Sequence, residues 1–352
     1  MAVATLADRL RAQIASTGPI SVSTFVAAAL YDDAEGFYAT GGQAGRRGDF
    51  LTAPEVGPLF GAVISRAVDA WWRAAGAPDR FVVAEHGAGP GTLARTVTLA
   101  NGACLQAGAL EWVLVERSAA QRADHPIAPH LRSLSDANTL DRVDVVFANE
   151  LLDNLPFDVV RFSADRWHEL VVNVSDGTFA LVDGAPVDAP EAAGTVPPGT
   201  LLPVATAARH WVEHQRDRHP GARLVVFDYA ASTAELVRRG GAWLRAYRGH
   251  EQVDDWLSDP GSCDITIDLP LEPVASTGPA VLRSQADFLR IHGIDDLVED
   301  GRSQWHQGAA VGDLAALRAR SRIREAEALL DPAGMGAFTV FEWGPTATLP
   351  TP

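Results

Sequence analysis

The sequence of 352 residues contains no lysine, so all of its 29 basic side chains are arginines. This absence excludes chemistry that needs a lysine amine, including Schiff-base formation and phosphate binding by a Walker lysine. The chain has only 2 cysteines, too few for a disulfide framework or a four-cysteine zinc site. No run approaches the roughly 18 apolar residues of a membrane span, and Asp8 and Arg9 interrupt the first stretch where a signal peptide would be apolar. We therefore predict a cytoplasmic protein without membrane insertion.

Positive charge is scarce relative to negative charge. The 29 arginines face 45 aspartates and glutamates, which gives a formal net charge of −16. A surface this acidic repels phosphate backbones, so we do not expect nucleic acid to be a partner. Hydrophobic residues make up 47% of the chain and charged residues 21%, the balance of a globular protein that buries a large core.

The pattern of apolar residues changes near residue 78. Residues 1–78 show mainly helical spacing and are interpreted as an N-terminal helical region. In residues 79–352, short apolar runs alternate with helical stretches, which predicts a parallel sheet covered by helices. Residues 157–221 interrupt this alternation with strand-like runs and two Asp-Gly turn signals, at Asp176 and Asp183, and are predicted as a strand-rich insertion. The predicted fold class is α/β.

The first predicted strand of the main region ends in the sequence EHGAGPG, residues 85–91. Gly87 and Gly89 would let the chain turn tightly into a helix while a ligand lies against the backbone. The spacing G-x-G-x-G differs from the G-x-G-x-x-G of a pyrophosphate site, and Glu85 would repel a phosphate but suits a cationic amino-acid group. Glu116 ends the next strand, where a carboxylate can bind both hydroxyls of a ribose. These features favour S-adenosylmethionine over a dinucleotide, with an ordinary strand-to-helix turn as the alternative.

A second polar group follows the strand-like sequence VDVVFA and comprises Asn149, Glu150 and Asp153. Ligands of open α/β sheets bind beyond the carboxyl ends of the strands. Carboxylates at that edge can hold a guanidinium or ammonium group and accept its proton as a methyl group arrives. These three residues are the candidate catalytic residues. The alternative is that they only cap a short helix.

Other chemistry has little support in the sequence. His168 and Glu169 lie in the predicted insertion, where neighbouring residues of a strand face opposite sides, so at most one of them is expected to matter. The chain has no H-E-x-x-H sequence, no cysteine pair and no histidine cluster at ligand spacing, which argues against a metal site. It also has no G-x-S-x-G nucleophile elbow.

Several short sequence blocks along the chain, including those already described, resemble a known family. They are Gly18-Pro19-Ile20-Ser21, Gly36-Phe37-Tyr38, Gly48-Asp49-Phe50-Leu51-Thr52-Ala53-Pro54-Glu55, residues 85–91, Val115-Glu116, Ala148-Asn149-Glu150 with Asp153, Asp228-Tyr229, Leu244-Arg245-Ala246-Tyr247 and Asp264-Ile265-Thr266. In this order they resemble the MidA-like family of class I methyltransferases almost from end to end. The block at 48–55 is the most distinctive, because generic methyltransferases lack it.

The resemblance implies a Rossmann-like class I methyltransferase sheet with an N-terminal helical lid and a strand-rich insertion. It implies S-adenosylmethionine as the cofactor, with Gly87 and Gly89 against its amino-acid end and Glu116 on its ribose. The loop of residues 41–52, which carries Thr52, would fold over the pocket as a mobile lid. Arg46, Arg47 and Asp49 belong to the same loop.

The resemblance also implies an acceptor, since the family includes a mitochondrial assembly factor that methylates an arginine of a respiratory complex I subunit. Asn149, Glu150 and Asp153 would orient and neutralise the acceptor guanidinium. The acidic balance of the chain suits a protein acceptor with a basic segment. Two alternatives stay open: a small-molecule methyltransferase on the same scaffold, and a non-catalytic assembly factor that only binds the cofactor.

Overall fold

The computed structural model describes six ranges of the chain, namely residues 4–40, 52–190, 193–249, 251–278, 280–308 and 314–345. Most of the predicted lid, residues 41–51 with Arg46, Arg47 and Asp49, lies outside the described residues. Thr52 is described.

The helices begin where the sequence provides a cap or a proline. Thr5 and Asp8 form a capping box at the first helix, and Pro58 occupies the first turn of the fourth. In chain order the α-helices of the described ranges are α1 Leu6–Thr17, α2 Val22–Tyr31, α3 Ala53–Val56, α4 Pro58–Ala74, α5 Thr92–Ala100, α6 Ala103–Gln106, α7 Ala119–Arg122, α8 Thr206–Arg218, α9 Thr233–Arg239, α10 Leu271–Ala275, α11 Gln285–Ile291, α12 Ile294–Gly308 and α13 Leu314–Leu330. None of these helices combines the length and the apolar character needed to cross a membrane.

The strands alternate with these helices in the main region and cluster in the insertion. In chain order they are β1 Ile20–Ser21, β2 Phe81–His86, β3 Leu110–Val115, β4 Leu131–Leu134, β5 Val145–Asn149, β6 Asp158–Ser163, β7 Arg166–Ser175, β8 Thr178–Val187, β9 Leu201–Val204, β10 Arg223–Asp228, β11 Ala230–Ala231, β12 Leu244–Arg248, β13 Glu251–Gln252, β14 Asp264–Ile267, β15 Leu269–Pro270, β16 Val281–Ser284 and β17 Thr339–Trp343.

A seven-stranded sheet with the order β16-β17-β10-β5-β2-β3-β4 forms the centre of the fold. Strands β4, β3, β2, β5 and β10 are parallel, whereas β17 is antiparallel to both of its neighbours. All six residues of β2 are buried, because helices cover both faces of the sheet. This arrangement confirms the predicted α/β class and its Rossmann-like sheet.

The two faces of the central sheet pack against different helices. On β2, Val82 and Ala84 join the core that contains α1, α2, α8 and the insertion, whereas Phe81 and Val83 join the core that contains α4, α5 and α13. This division follows from the alternation of side chains along a strand. The helices of residues 1–78 therefore lie on both faces of the sheet, and the division of the chain at residue 78 stays a prediction.

The predicted insertion forms a second sheet with the order β1-β7-β6-β9, and β8 pairs with the other edge of β7. Strand β1 comes from the N-terminal region, and Ile20 lies opposite Val172. The predicted turn at Asp176 joins β7 to β8, with a left-handed φ of 51° at that residue. The predicted turn at Asp183 is wrong, because that residue and Gly184 lie within β8, next to a register shift against β7.

Asp69 of α4 fixes the connection between α5 and β3. Its two carboxylate oxygens accept hydrogen bonds from the backbone N–H groups of Ala103 and Cys104, at 2.7 and 2.8 Å. These N–H groups belong to the first turn of α6 and would otherwise be unpaired. The side chain of a long helix thus caps a helix distant in sequence.

We expect Asp69→Ala to lower the free energy of unfolding by about 1–3 kcal/mol, because two N–H groups lose their acceptor. Urea denaturation measures this change. Asp79→Ala, at an exposed position that follows the same helix, is the matched control and should change stability little. Equal effects of the two substitutions would contradict the capping role of Asp69.

Candidate functional site

A cavity of about 990 Å³ opens at the carboxyl ends of β2, β3 and β5. Its walls come from the glycine loop after β2, the residues that follow β3 and β5, and one face each of α2 and α8. Open α/β sheets bind their ligands at this edge. The volume is at the upper end of the range for small-molecule sites, which leaves room for a cofactor and part of a second molecule.

The glycine loop adopts a backbone conformation that other residues rarely reach. Gly87, Gly89 and Gly91 have φ angles of 67°, 52° and 79°. A Cβ atom on Gly91 would lie 2.7 Å from the Cδ atom of Pro126 and 2.8 Å from a Cδ atom of Leu114. The loop is therefore a bare backbone cradle, as the sequence predicts, and Gly87 and Gly89 line the cavity.

Glu116 follows β3 and lines the cavity next to this loop. Its two oxygens accept hydrogen bonds from the backbone N–H groups of Gly89, at 3.0 Å, and Ser118, at 2.7 Å. Burial raises the pKa of its carboxyl group, although both hydrogen bonds favour the charged form. The carboxylate is thereby fixed in orientation and retains lone pairs for a ligand.

Sequence reasoning missed His125, which holds the glycine loop from outside the motif. Its Nε2 atom lies 2.8 Å from the Gly89 carbonyl oxygen, and its Nδ1 atom lies 2.8 Å from the hydroxyl of Ser133. Because a carbonyl oxygen only accepts, we assign the proton to Nε2. Burial lowers the pKa of His125, which favours the neutral ring. No motif connects His125 to the loop, so only the tertiary structure reveals the contact.

The structure turns Glu85 away from the cavity. Its side chain is buried, at 5% exposure. Its Oε2 atom accepts a hydrogen bond of 2.6 Å from the indole Nε1–H of Trp112, on the neighbouring strand β3. Burial raises the pKa of Glu85 to about 8. Glu85 does not line the cavity, so its placement does not support the predicted contact with a cationic ligand group.

Glu150 and Asn149 lie on the cavity wall at the end of β5. Glu150 has a left-handed φ of 52°, and its N–H group donates to the Phe227 carbonyl oxygen at 2.8 Å. Its Oε1 atom accepts from the Ala53 N–H at 3.1 Å and from the Asn149 side-chain amide at 2.9 Å.

The other Glu150 oxygen, Oε2, accepts a hydrogen bond of 3.3 Å from the hydroxyl of Tyr229. Burial, together with the nearby Asp153 carboxylate, raises the pKa of Glu150 to about 8. Glu150 is therefore a fixed carboxyl group that titrates close to neutral pH.

Asp153, the third candidate catalytic residue, lies behind this wall rather than on it. It belongs to a 3-10 helix, Leu152–Asn154, is 3% exposed, and accepts a hydrogen bond from the hydroxyl of Thr266 at 2.5 Å. The carboxylate of Asp228 is close by and accepts from the backbone N–H of Leu152 at 2.8 Å. Burial raises the pKa of both carboxyl groups, and the two are electrostatically linked.

The N-terminal region closes one side of the cavity. Thr52 lines the wall, as do Ala28 and Tyr31 of α2. Tyr31 donates its hydroxyl hydrogen to the backbone oxygen of Asn154 at 3.0 Å, which ties α2 to the end of β5. His168 and Glu169 lie elsewhere: both contact β8 in the insertion and neither is part of the wall.

The shape and backbone of the site fit an adenosyl cofactor. The glycine cradle and the Glu116 carboxyl group lie side by side on the cavity wall, and the Gly89 N–H donates to Glu116. Among the described residues, no group of three histidine, cysteine, aspartate or glutamate side chains could hold a metal ion. A Rossmann-like sheet with a glycine turn and a carboxyl group at the end of the next strand is typical of enzymes that bind a nucleoside cofactor.

Comparison with known proteins identifies the family. Residues 63–286 match the family described as "Putative S-adenosyl-L-methionine-dependent methyltransferase", and the chain belongs to that family. It is an S-adenosylmethionine-dependent methyltransferase, and the predicted cofactor is confirmed.

A crystal structure of a Burkholderia thailandensis protein supports this assignment. That protein is 29% identical, superposes with a TM-score of 0.84 and covers 98% of this chain and 92% of its own. It was crystallised with S-adenosyl-homocysteine, the demethylated form of the cofactor.

Two curated relatives carry names that specify a reaction. The Drosophila melanogaster relative, named "Protein arginine methyltransferase NDUFAF7 homolog, mitochondrial", is 27% identical over an alignment of 314 residues that covers 76% of this chain and 69% of the relative. The Homo sapiens relative, named "Protein arginine methyltransferase NDUFAF7, mitochondrial", is 26% identical over 341 residues, with coverage of 80% and 72%. Because both relatives are named as mitochondrial proteins, the predicted cytoplasmic location is wrong.

The buried Glu85 predicts a pH dependence of stability. Because its folded pKa is raised to about 8, its contribution to stability is complete below the ordinary glutamate pKa and is lost as pH rises through about 8. Glu85→Gln keeps an acceptor for Trp112 but cannot ionise. We expect this variant to gain stability relative to the parent by up to a few kcal/mol between about pH 6 and about pH 8.5.

Urea denaturation at both pH values measures the gain. Glu327→Gln, an exposed position on α13, is the control and should show no such difference. A pH-independent difference between Glu85→Gln and the parent would contradict the assigned pKa.

Proposed function

We propose that this enzyme methylates a guanidino nitrogen of an arginine side chain in a partner protein. The observation that carries the proposal is Glu150, a carboxyl group fixed on the cavity wall by the Ala53 N–H, the Asn149 amide and the Tyr229 hydroxyl. The arginine methyltransferase names of the curated relatives support the same acceptor.

In this proposal the cofactor occupies the half of the cavity next to β3. Gly87 and Gly89 take its amino-acid end, Glu116 accepts hydrogen bonds from its ribose hydroxyls, and Thr52 closes the edge. When bound, S-adenosylmethionine supplies a methyl group already activated by the sulfonium. The protein therefore has to position the acceptor in line and exclude water rather than activate the methyl donor.

The charge of the cavity wall suits a cationic acceptor. Among the described residues of the wall, carboxyl groups outnumber guanidinium groups by six to two: Asp32, Asp33, Glu55, Glu116, Asp136 and Glu150 against Arg117 and Arg218. An arginine side chain is protonated at any physiological pH, so a negative wall attracts it. Flanking basic residues of a protein acceptor would gain from the same field.

Glu150 and Asn149 would hold the guanidinium and manage its proton. The Oδ1 atom of Asn149 is buried and has no hydrogen-bond partner among the described residues, so it can accept from a guanidinium N–H. Glu150 in its charged form accepts a second N–H and takes the proton that leaves as the nitrogen is methylated. We propose that Asp153 acts from behind, since its charge contributes to the raised pKa of Glu150.

The identity of the acceptor is tested by transfer of a labelled methyl group from S-adenosylmethionine into a cell extract fractionated by size. Label in protein, recovered as methylarginine after hydrolysis, is the expected result. A respiratory complex I subunit is the acceptor that the resemblance implies. Label only in small metabolites, or no transfer despite cofactor binding, would overturn the proposal in favour of a small-molecule methyltransferase or a non-catalytic assembly factor.

Glu116→Ala should weaken binding of S-adenosyl-homocysteine by about tenfold to a hundredfold, because hydrogen bonds to a charged acceptor are lost. Titration calorimetry gives the affinity, and a melting curve shows whether the variant is folded. Glu111→Ala, on β3 but outside the cavity, is the control. Unchanged affinity in Glu116→Ala would remove Glu116 from the cofactor site.

Glu150→Gln should keep cofactor affinity and lose about a hundredfold to ten-thousandfold of methyl transfer to an arginine peptide. In the parent enzyme kcat/KM should rise with pH, because Glu150 must ionise before it can accept a proton. Burial and the nearby Asp153 raise the pKa of Glu150 to about 8 in the free protein. A bound cationic cofactor lowers that pKa, so we expect the rise below about pH 8.

The variant should lose this pH-dependent rise. The matched control is Glu169→Gln in the insertion, which should retain turnover. Normal turnover by Glu150→Gln would place the acceptor site elsewhere, and loss of turnover in Glu169→Gln would point to the insertion.

A further inference from the structure

We propose that Tyr229 and Arg245 are positioning residues that orient the Glu150 side chain and favour its charged, proton-accepting form. This inference rests on the proposed function, because it concerns the carboxylate assigned there to the acceptor arginine. It adds two residues that act through Glu150 and are not themselves placed against the acceptor.

Tyr229 follows β10 and contacts the Glu150 oxygen that Ala53 does not contact. Its hydroxyl donates to Glu150 Oε2 at 3.3 Å, so the two Glu150 oxygens are held by different parts of the chain. The Tyr229 ring packs against the ring of Phe338, with centroids 4.2 Å apart. This packing fixes the ring and therefore the direction of its O–H group.

Arg245, on β12, covers the Tyr229 ring. Its guanidinium carbon lies 5.1 Å from the ring centroid, within the range of a cation–π contact. The guanidinium is itself anchored, because Nη2 lies 2.8 Å from the nearly buried carboxylate of Asp268. Arg239 forms an ion pair with the same carboxylate. A cation over a phenol ring draws electron density from its oxygen and makes the O–H group a stronger donor.

The charges around Glu150 explain why such support is needed. Asp153, behind the wall, and Asp228, at the end of β10, are both buried and both oppose a negative charge on Glu150 when they ionise. Arg245 acts on the Tyr229 hydroxyl: its positive charge partly offsets the rise that burial causes in the pKa of that group. The donors that favour the Glu150 carboxylate are the Ala53 N–H, the Asn149 amide and the Tyr229 hydroxyl.

Removal of the hydroxyl leaves two of these three donors. The charged form of Glu150 then loses stabilisation while its neutral form is little affected, so the pKa of Glu150 rises. Replacement of Arg245 removes the cation over the Tyr229 ring and so weakens its hydroxyl as a donor, which acts in the same direction. A residue with only a structural role would lower stability without changing the pH at which activity appears.

The experiment compares pH profiles of kcat/KM for an arginine peptide, with S-adenosylmethionine saturating, in the parent, Tyr229→Phe and Arg245→Gln. We expect the rise in activity to move upward by about one pH unit in Tyr229→Phe, a tenfold change in the ionisation constant, with activity largely recovered at high pH. Arg245→Gln should move the rise in the same direction. The affinity for S-adenosyl-homocysteine should change little in both variants.

Matched controls lie on β12 outside the cavity. Tyr247→Phe makes the same chemical change two residues after Arg245, and Arg248→Gln removes an exposed guanidinium. Neither control should move the rise in activity. Melting curves for all four variants show that each is folded.

Two results would overturn the inference. In the first, Tyr229→Phe loses activity equally at every pH, or moves the profile no more than Tyr247→Phe does. In the second, Arg245→Gln moves the profile no more than Arg248→Gln does. Glu150→Gln separates this inference from the proposed function. Full turnover in Glu150→Gln refutes the role of Glu150 itself. A loss of turnover in Glu150→Gln, together with an unshifted pH profile in Tyr229→Phe, refutes only the role of Tyr229 and Arg245.

Discussion

The burial of four carboxyl groups at one edge of the central sheet is the constraint on which the rest of the structure depends. The four groups are Glu150, Asp153, Asp228 and Asp264, and burial raises the pKa of each of them. Buried carboxyl groups without partners would be too costly for a fold of marginal stability. Their donors come from distant parts of the chain: the Ala53 N–H for Glu150, the Thr266 hydroxyl for Asp153, and the Tyr38 hydroxyl for Asp264. The N-terminal region and the strands after β10 must therefore converge on this edge.

The sequence predicts the parts of this arrangement that local rules determine. Glycine spacing and the position of residues 85–91 between a strand and a helix locate the tight turn, because Gly87, Gly89 and Gly91 adopt positive φ angles there. Glu116 is predictable for a similar reason, since it ends the strand that neighbours the cradle. The buried parallel strands are also predictable, because they occur as short apolar runs between helical stretches.

Side-chain direction is the main part that the sequence does not determine. Neighbouring residues of a strand face opposite sides, but β2 is covered on both faces, so the apolar pattern does not show whether Glu85 or His86 lines the cavity. The same ambiguity affects Asp153, which lies in a short helical turn and faces Thr266 rather than the cavity. His125 and Tyr229 show a second limit: each contacts its partner, Gly89 or Glu150, only after the chain has folded, and no spacing rule connects the pairs.

The acidic edge also has a consequence for binding two cations side by side. In the proposed function a sulfonium and a guanidinium must come together, and their mutual repulsion opposes binding in a cavity of low dielectric constant. The raised pKa values of the buried acids mean that some of these groups are neutral in the free protein near neutral pH. Each cation that enters favours the ionised form, so binding releases protons and converts neutral carboxyl groups into counter-charges. The free energy that the fold loses by burying these acids is in this way partly recovered when the positively charged ligands bind.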